Sequence, residues 1–369
     1  MGCSSSVQER KVSVVKESIA DLDCSDIRLG EFLDRSSIFP DTEKHSRNKT
    51  EETGSTVNVE QLLDKLPAMQ PHEVAQAMKH SLDEDEEIVL ERGLSVLADG
   101  VGKTIEAATT IAKVEEGSQA EDVDPIVIAV GAMRQYKASA NLQAHGCRFL
   151  LRLSEIQQQQ PKVTAAGGIG ATITAMQNHE ANAEVQEQGC TFLRNVASNN
   201  STNKTKIASL RGIQTIITAM DEHLECESLQ IHAMWALQVL IPNRANQDIM
   251  AAAGGIQQIL KGLSKFPRSP AIQHRGCWAL GNLAYGHTEN QKKIMAEQGI
   301  VAVLDAMAAH QGVQAVQEHG CRALKNFSDN NSAATSEILR LDGANAVVRA
   351  MDQHVAMGDV QEQACFALR

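Results

Sequence analysis

One position recurs along the last two thirds of this chain: Cys147, Cys190, Met234, Cys277, Cys321 and Cys365, at spacings of 43, 44, 43, 44 and 44 residues. A second column runs fourteen residues earlier throughout, in Met133, Met176, Met220, Leu263, Met307 and Met351. A third is the pair Gly168-Ile169, Gly212-Ile213, Gly255-Ile256 and Gly299-Ile300, closed by Gly343-Ala344. Self-similarity at this period marks a stacked helical solenoid. A unit so short cannot bury its apolar face alone, so its neighbours complete its core.

Each unit reads as three helices. In residues 289–331 a short helix from Asn290 to Glu297 breaks at Gly299, where a sharp turn suits the positive φ that glycine tolerates. A second, Ile300 to Ala309, carries Val303, Leu304 and Met307 on one face, and a third, Val313 to Phe327, carries Val316, Cys321, Leu324 and Phe327. The turn Asp329-Asn330-Asn331 ends it and caps the next unit. Only 3% of residues are aromatic against 43% hydrophobic, which disfavours sandwiches and barrels and suits helices of Ala, Leu, Ile, Met and Gln. An irregular earlier unit, around Met78 and Gly93-Leu94, caps the stack. Arg369 falls inside the third helix of the last unit, so a truncated sequence is expected.

The other end reads differently. Residues 1–56 are rich in Ser, Asp, Glu, Lys and Thr, and 41–56 are almost free of large apolar side chains, as in a disordered tether. Val12 to Leu33 keeps partial helical periodicity. The opening Met1-Gly2-Cys3-Ser4-Ser5-Ser6 fits N-myristoylation of Gly2, and Cys3 offers a thiol for S-palmitoylation. One myristoyl chain binds a bilayer only marginally, and a second acyl group makes the attachment durable. With no apolar run of about 20 residues and no secretory signal, the expected location is cytoplasmic, peripheral on the cytosolic face of a membrane. The N-x-[ST] matches at Asn48, Asn200 and Asn203, and the turn residue Asn331, then read as helix caps and turns. The five column cysteines read as small, reduced core residues, since stacked helices lie about 8–10 Å apart, beyond the roughly 7 Å Cα limit of a disulfide. A net charge of −12 and pI near 5.5 give no broad basic footprint for nucleic acid.

Gly276-Cys277-Trp278-Ala279-Leu280-Gly281-Asn282-Leu283-Ala284 resembles the third helices of importin-α, and residues 125–369 resemble the armadillo-repeat family. The resemblance implies an all-α, right-handed α-solenoid with three helices per 43–44-residue unit and the last unit incomplete. Residues 57–124 form an irregular N-terminal helical capping region, opened by Val59, Leu62, Leu63 and Leu66. In importins the Trp and the Asn four residues on face a concave groove, where the Asn holds the backbone of an extended peptide and the Trp walls off lysine stems. Here only Trp278 and Asn282 form the full pair. Elsewhere it reads Arg148/Arg152, Thr191/Asn195, Trp235/Val239 and Arg322/Asn326, with Phe366 unpaired. The column before the Asn position adds Leu151, Arg194, Gln238, Gly281, Lys325 and Arg369.

Residues four apart share a helix face. The expected groove floor is therefore two adjacent Trp, with Arg148, Arg152, Arg194 and Asn195 on one side and Arg322, Lys325 and Asn326 on the other. Such a groove favours extended acidic or phosphorylated protein segments and repels lysine-rich cargo. The whole layout resembles N-terminally acylated armadillo proteins, the type of the yeast vacuole-inheritance armadillo protein and the apicomplexan armadillo-repeats-only proteins. That implies a membrane-tethered scaffold, and the residues themselves add the expectation of a non-enzymatic scaffold or adaptor with covalent lipid but no cofactor, no metal, no nucleic acid and no small-molecule substrate. The alternative is a soluble importin-α-like transport adaptor; a regulatory subunit for an enzyme bound elsewhere is compatible with the scaffold.

Other motifs read as structure. Gly100-Val101-Gly102-Lys103-Thr104 resembles the end of a phosphate loop but has Leu97 where a glycine is needed and follows helix rather than strand. His179, His223, His310 and His354, three residues after the landmark Met, read as helix C-terminal residues favoured by the dipole. Asp83-Glu84-Asp85-Glu86-Glu87 reads as carboxylates opening a helix. Gln186-Glu187, Gln317-Glu318 and Gln361-Glu362 read as a solvated face.

Overall fold

The computed structural model describes residues 59–69, 71–83, 87–103 and 124–369. Gly2, Cys3, Asn48, residues 1–56, Glu84 to Glu86 and Thr104 lie outside them. By contacts the chain divides into Met1–Leu62 and Leu63–Arg369, and all but four of the described residues belong to the second unit.

Among the described residues every regular element is helical. α1 (Val59–Lys65) leads through a 3-10 turn (Leu66–Ala68) to α2 (Pro71–Asp83) and α3 (Glu87–Lys103). α4 (Pro125–Gln135) and α5 (Ala140–Ser154) follow. Then come α6 (Gln160–Ala165), α7 (Gly168–Asn178) and α8 (Ala183–Ala197); α9 (Ser201–Ser209), α10 (Gly212–Glu222) and α11 (Glu227–Leu240); and α12 (Arg244–Ala252), α13 (Gly255–Lys265) and α14 (Pro270–Ala284). The last units are α15 (Thr288–Ala296), α16 (Gly299–Ala309) and α17 (Gln314–Ser328), then α18 (Ser332–Arg340), α19 (Gly343–Gln353) and α20 (Gly358–Leu368). The third helices α5, α8, α11, α14, α17 and α20 pack side by side in series, with α3 against α5. No described helix is long and apolar enough to cross a membrane.

The turn asparagines cap as expected in two cases. Asn200 and Asn331 accept from the amides of Asn203 and Ala334 at 3.0 and 3.2 Å, filling orphan donors at the helix start. Asn203 departs from the expectation. It is buried within α9 and donates to the Val196 carbonyl at 2.7 Å, as Asn246 does to Leu240 and Asn290 to Leu283. Each closes the open end of the preceding third helix.

The recurrent glycine is needed for a different reason than expected. Positive φ falls on the residue before it, at Gly167, Arg211, Gly254, Gln298 and Asp342, while Gly168, Gly212, Gly255, Gly299 and Gly343 open their helices. A Cβ on Gly212 would lie 2.5 Å from Ile207 Cγ2 and 2.9 Å from the Ile207 carbonyl oxygen. Close approach of the first helix excludes a side chain there.

The column polar residues also differ from their reading. Gln186 and Gln317 are buried, and the solvated-face expectation fails for them because each turns inward. Gln186 Nε2 donates to the carbonyls of Met176 at 2.8 Å and His179 at 2.9 Å. Gln143, Gln230, Gln273, Gln317 and Gln361 repeat that double bond at the end of their own second helices. Glu187 and Glu318 stay partly exposed.

The histidines terminate second helices, as read, and also fasten unit to unit. Nε2 of His179, His223, His310 and His354 donates to the carbonyls of Lys137, Glu180, Pro267 and Gln311, each in the preceding unit, at 2.7–2.8 Å. At the end of α13 the same place holds Phe266. That junction carries exposed ion pairs instead, Lys261 with Asp221 at 2.8 Å and Lys265 with Glu225.

Cys147, Cys190, Cys277 and Cys321 are free and buried, and burial pushes the thiols of Cys147, Cys277 and Cys321 up to about 12. Cys365 differs, being exposed on α20. In three units the landmark Met of the second helix presses on a glycine of the third, Met133 on Gly146, Met176 on Gly189 and Met307 on Gly320, and Leu263 does the same on Gly276. Met78 rests on Gly93 in the same way. Of the acidic run, Asp83 ends α2 and Glu87 opens α3. α3 continues through Lys103, so Gly100 to Lys103 form helix rather than a phosphate-cradling loop.

Candidate groove on the third helices

The groove face of α8, α11, α14 and α17 is built from two columns. Trp235 and Trp278 are half-buried, and each already carries cations. Arg194 from α8 and Arg275 from α14 both stack on the Trp235 ring, at 4.0 and 3.8 Å from its centroid. Arg322 from α17 lies over Trp278 at 4.7 Å. The His319 ring packs on Trp278 with centroids 4.3 Å apart and stands 5.9 Å from His274. Lys325 sits over Tyr285 and Phe366, at 5.9 and 5.5 Å.

The electrostatics follow from crowding cations in a half-buried place. Burial and then neighbouring Arg194 pull the Arg275 guanidinium down to about 10. Burial lowers Arg194 against the pull of Glu155, and Arg322 against that of Glu318. Burial, then Arg322, His274 and Arg275, hold the His319 imidazole neutral down to about 3. Burial also lowers His232 and His274. Arg275 Nε, Arg322 Nε and Nη2, and Arg148 Nε are buried without a hydrogen-bond partner. Buried donors left this way cost about 1–3 kcal/mol each.

The asparagines divide. Asn195 donates to Ser154 Oγ at 3.1 Å and accepts from Arg194 at 2.6 Å, and Asn326 is buried, donating to the Gly281 carbonyl at 2.9 Å. Both side chains serve the solenoid rather than standing open in the groove, which departs from the expected site. Asn282 is half-buried and its side-chain amide makes no hydrogen bond among the described residues; its backbone carbonyl accepts from Gln247 Nε2 at 2.8 Å and from the Tyr285 amide at 3.3 Å. Arg148 bonds Ser95 at 3.2 Å and contacts His145 at 2.7 Å. Arg152 pairs with Glu155 at 3.4 Å. The structure therefore gathers Arg194, Trp235, Trp278, Asn282 and Arg322 in one stretch, with Arg148 and Arg152 engaged one end away and Lys325 on the aromatic pair at the other.

The family model described as LRRK2 ARM repeat matches residues 165–369, more than half of the chain. This chain belongs to the armadillo-repeat family. Among solved structures it is similar to a designed armadillo repeat protein in complex with the peptide (KR)4, at 19% identity and TM-score 0.55, over 69% of this chain and 99% of that one. An engineered protein is similar over 70% of this chain and 97% of its own, at 19% identity and TM-score 0.57. The chain also resembles the structure from a study of a phosphorylation switch controlling the interaction between cadherin and beta-catenin, at 12% identity and TM-score 0.52, over 83% of this chain and 64% of that one. No curated protein sequence matches significantly. Armadillo solenoids are generally non-enzymatic scaffolds for protein partners, and the all-helical repeat architecture agrees with that class.

Two residues of this stacked cluster escaped the Trp and Asn columns. Arg275 and His319 stand two residues before the landmark Cys, in the column His145, Gln188, His232, Arg275, His319 and Gln363. That column lies three residues before the Trp position, hence on the same helical face.

Proposed function

We propose that this armadillo chain is a non-enzymatic scaffold, tethered by lipid on Gly2 and Cys3, that holds partner proteins at the cytosolic face of a membrane. The observation that carries the partner reading is the groove centre, where three arginines stack on the two tryptophans with no carboxylate among the described residues paired to any of them. An extended acidic segment complements that surface, and its charge steers the encounter. Membrane attachment rests on the opening sequence and on two-chain acylation being durable where one chain is not. Fractionation of the full chain tests it: wild type pellets with membranes, Gly2→Ala is soluble and Cys3→Ser is intermediate. Equal solubility of all three removes the tether.

A soluble importin-like adaptor has one observation in its favour, the intact Trp278 and Asn282 pair with an open Asn282 amide. The designed relative in complex with (KR)4 is of the armadillo fold too. Against it, Arg194, Arg275 and Arg322 already occupy the ring faces on which lysine stems would pack. Submicromolar binding of a lysine-rich peptide that depends on Trp278 and Asn282 would establish the adaptor instead.

A further inference from the structure

We propose that the centre of the groove reads phosphate: Arg194 and Arg275 on Trp235, with Arg322 on Trp278, hold the dianionic monoester of a phosphorylated residue while Asn282 holds the peptide backbone beside it. The inference rests on the groove being a protein-binding surface and names what that surface recognises.

Five features point to a dianion. Arg275 has no ion pair among the described residues, and the charged group acting on it is another cation, Arg194. Its Nε, and Nε and Nη2 of Arg322, are donors without acceptors. Stacking on indole fixes each guanidinium plane in advance, so less freedom is lost when the fork meets an oxyanion. The imidazoles between them, His232, His274 and His319, are held toward their neutral form by burial, leaving the three guanidinium groups as the fixed charges. The carboxylates nearby are engaged elsewhere or on the rim: Glu155, which acts on Arg194, pairs with Arg152 at 3.4 Å, Glu187 accepts from Ser228 at 2.9 Å and faces His232 at 3.8 Å, and Glu318 stands 3.5 Å from His319. A carboxylate brings one charge to three cations, whereas a phosphate monoester brings nearly two and three acceptor oxygens. Peptide rather than lipid is favoured by Asn282, one helical turn beyond Trp278, whose amide offers a donor and an acceptor to a backbone.

Trp235 and Trp278 are the two tryptophans of the chain, so intrinsic fluorescence reports on this site. The full chain is titrated with a short Gly/Ala peptide bearing one phosphoserine, its Ser and Glu counterparts, inorganic phosphate, and phosphatidylcholine vesicles containing a phosphoinositide. The phosphoserine peptide is expected to saturate the response at about tenfold lower concentration than the Glu peptide, a difference of about 1.4 kcal/mol, and the Ser peptide to give none. With helicity preserved by circular dichroism, Arg275→Gln and Arg275→Lys each weaken the phosphopeptide about tenfold, the lysine failing because it keeps charge without the fork. Asn282→Ala weakens the phosphopeptide about threefold and leaves inorganic phosphate unchanged. Equal affinity for the phosphoserine and Glu peptides, or wild-type binding by Arg275→Lys, overturns the phosphate reading and leaves an acidic-peptide groove standing. Tighter binding to the vesicles than to the phosphopeptide overturns it in favour of a lipid headgroup. Silence of the tryptophans toward every peptide removes both the phosphate reading and the groove reading.

Discussion

The end of the second helix and the groove face of the third helix sit in every unit, yet they vary in opposite ways. At the second-helix end one chemistry is repeated: a Gln amide closes two carbonyls in all six units, and a His reaches back to the preceding unit in four. On the groove face the same column holds Arg148, Thr191, Trp235, Trp278, Arg322 and Phe366. Repetition marks what the stack needs to exist at all, and variation marks where the surface was free to be shaped for something outside it. Asn195 and Asn326 show that the boundary is drawn residue by residue, since groove positions can be drafted into the stack.

The sharpest way to break this comparison is Gln186→Leu. It removes both amide donors from the Met176 and His179 carbonyls, and roughly 3 kcal/mol of stability is expected to be lost, read as a lower urea midpoint by circular dichroism. Its groove counterpart, Arg275→Lys, should move that midpoint by less than about 1 kcal/mol. A Gln186→Leu chain as stable as wild type would mean that the amide ladder is incidental.

Gly212→Ala sharpens it further, because two effects oppose. Helix propensity favours Ala by about 1 kcal/mol, while a Cβ 2.5 Å from Ile207 Cγ2 and 3.0 Å from Ile173 Cδ1 overpacks the joint by roughly 2–3 kcal/mol. A net loss of about 1–2 kcal/mol is expected, and a gain would return the glycine to a purely conformational role.

Acid tests the groove side. The unfolded His319 takes a proton below about pH 6.5, whereas the folded one, surrounded by Trp278, Arg322, His274 and Arg275 with Glu318 at the rim, stays neutral down to about 3. Protons therefore bind the unfolded chain preferentially in that window, and stability is lost as pH falls through 6.5. About 1 kcal/mol should go between pH 6.5 and 5.5, and His319→Gln should abolish that share of the slope. The smallest effect expected is that of His223→Ala, which removes one bond to the Glu180 carbonyl and about 0.5–1 kcal/mol, measured by the same midpoint.

Much of this was legible before any coordinates. The 43–44-residue period, three helices per unit and the breaks at the Gly pairs emerge from spacing, and the helices of residues 289–331 start and stop within two residues of their expected places. What spacing cannot tell is why a residue is required. Gly299 reads the same whether φ or crowding demands it, and only the approach of Ile294 decides. Gln186 looked solvated because it is polar, although it stands four residues before a buried Cys and so faces inward with it. The stacked cluster on the third helices was legible through its tryptophans. Arg275 and His319 were hidden because the borrowed columns skipped theirs, and the loss of Asn195 and Asn326 depends on the carbonyl and hydroxyl opposite each.

Phe266 stands where four other units have a histidine. A row of identical clasps with one replaced by a hook of salt behaves as a spring with a single compliant coil. That coil lies between α11 and α14, the helices that bear Trp235 and Trp278. Its exposed Lys261 and Lys265 pairs weaken as ionic strength rises, whereas the imidazole clasps elsewhere do not. Brine should therefore slacken the spine at the very spot where Arg275 leans from one coil onto the ring of the next.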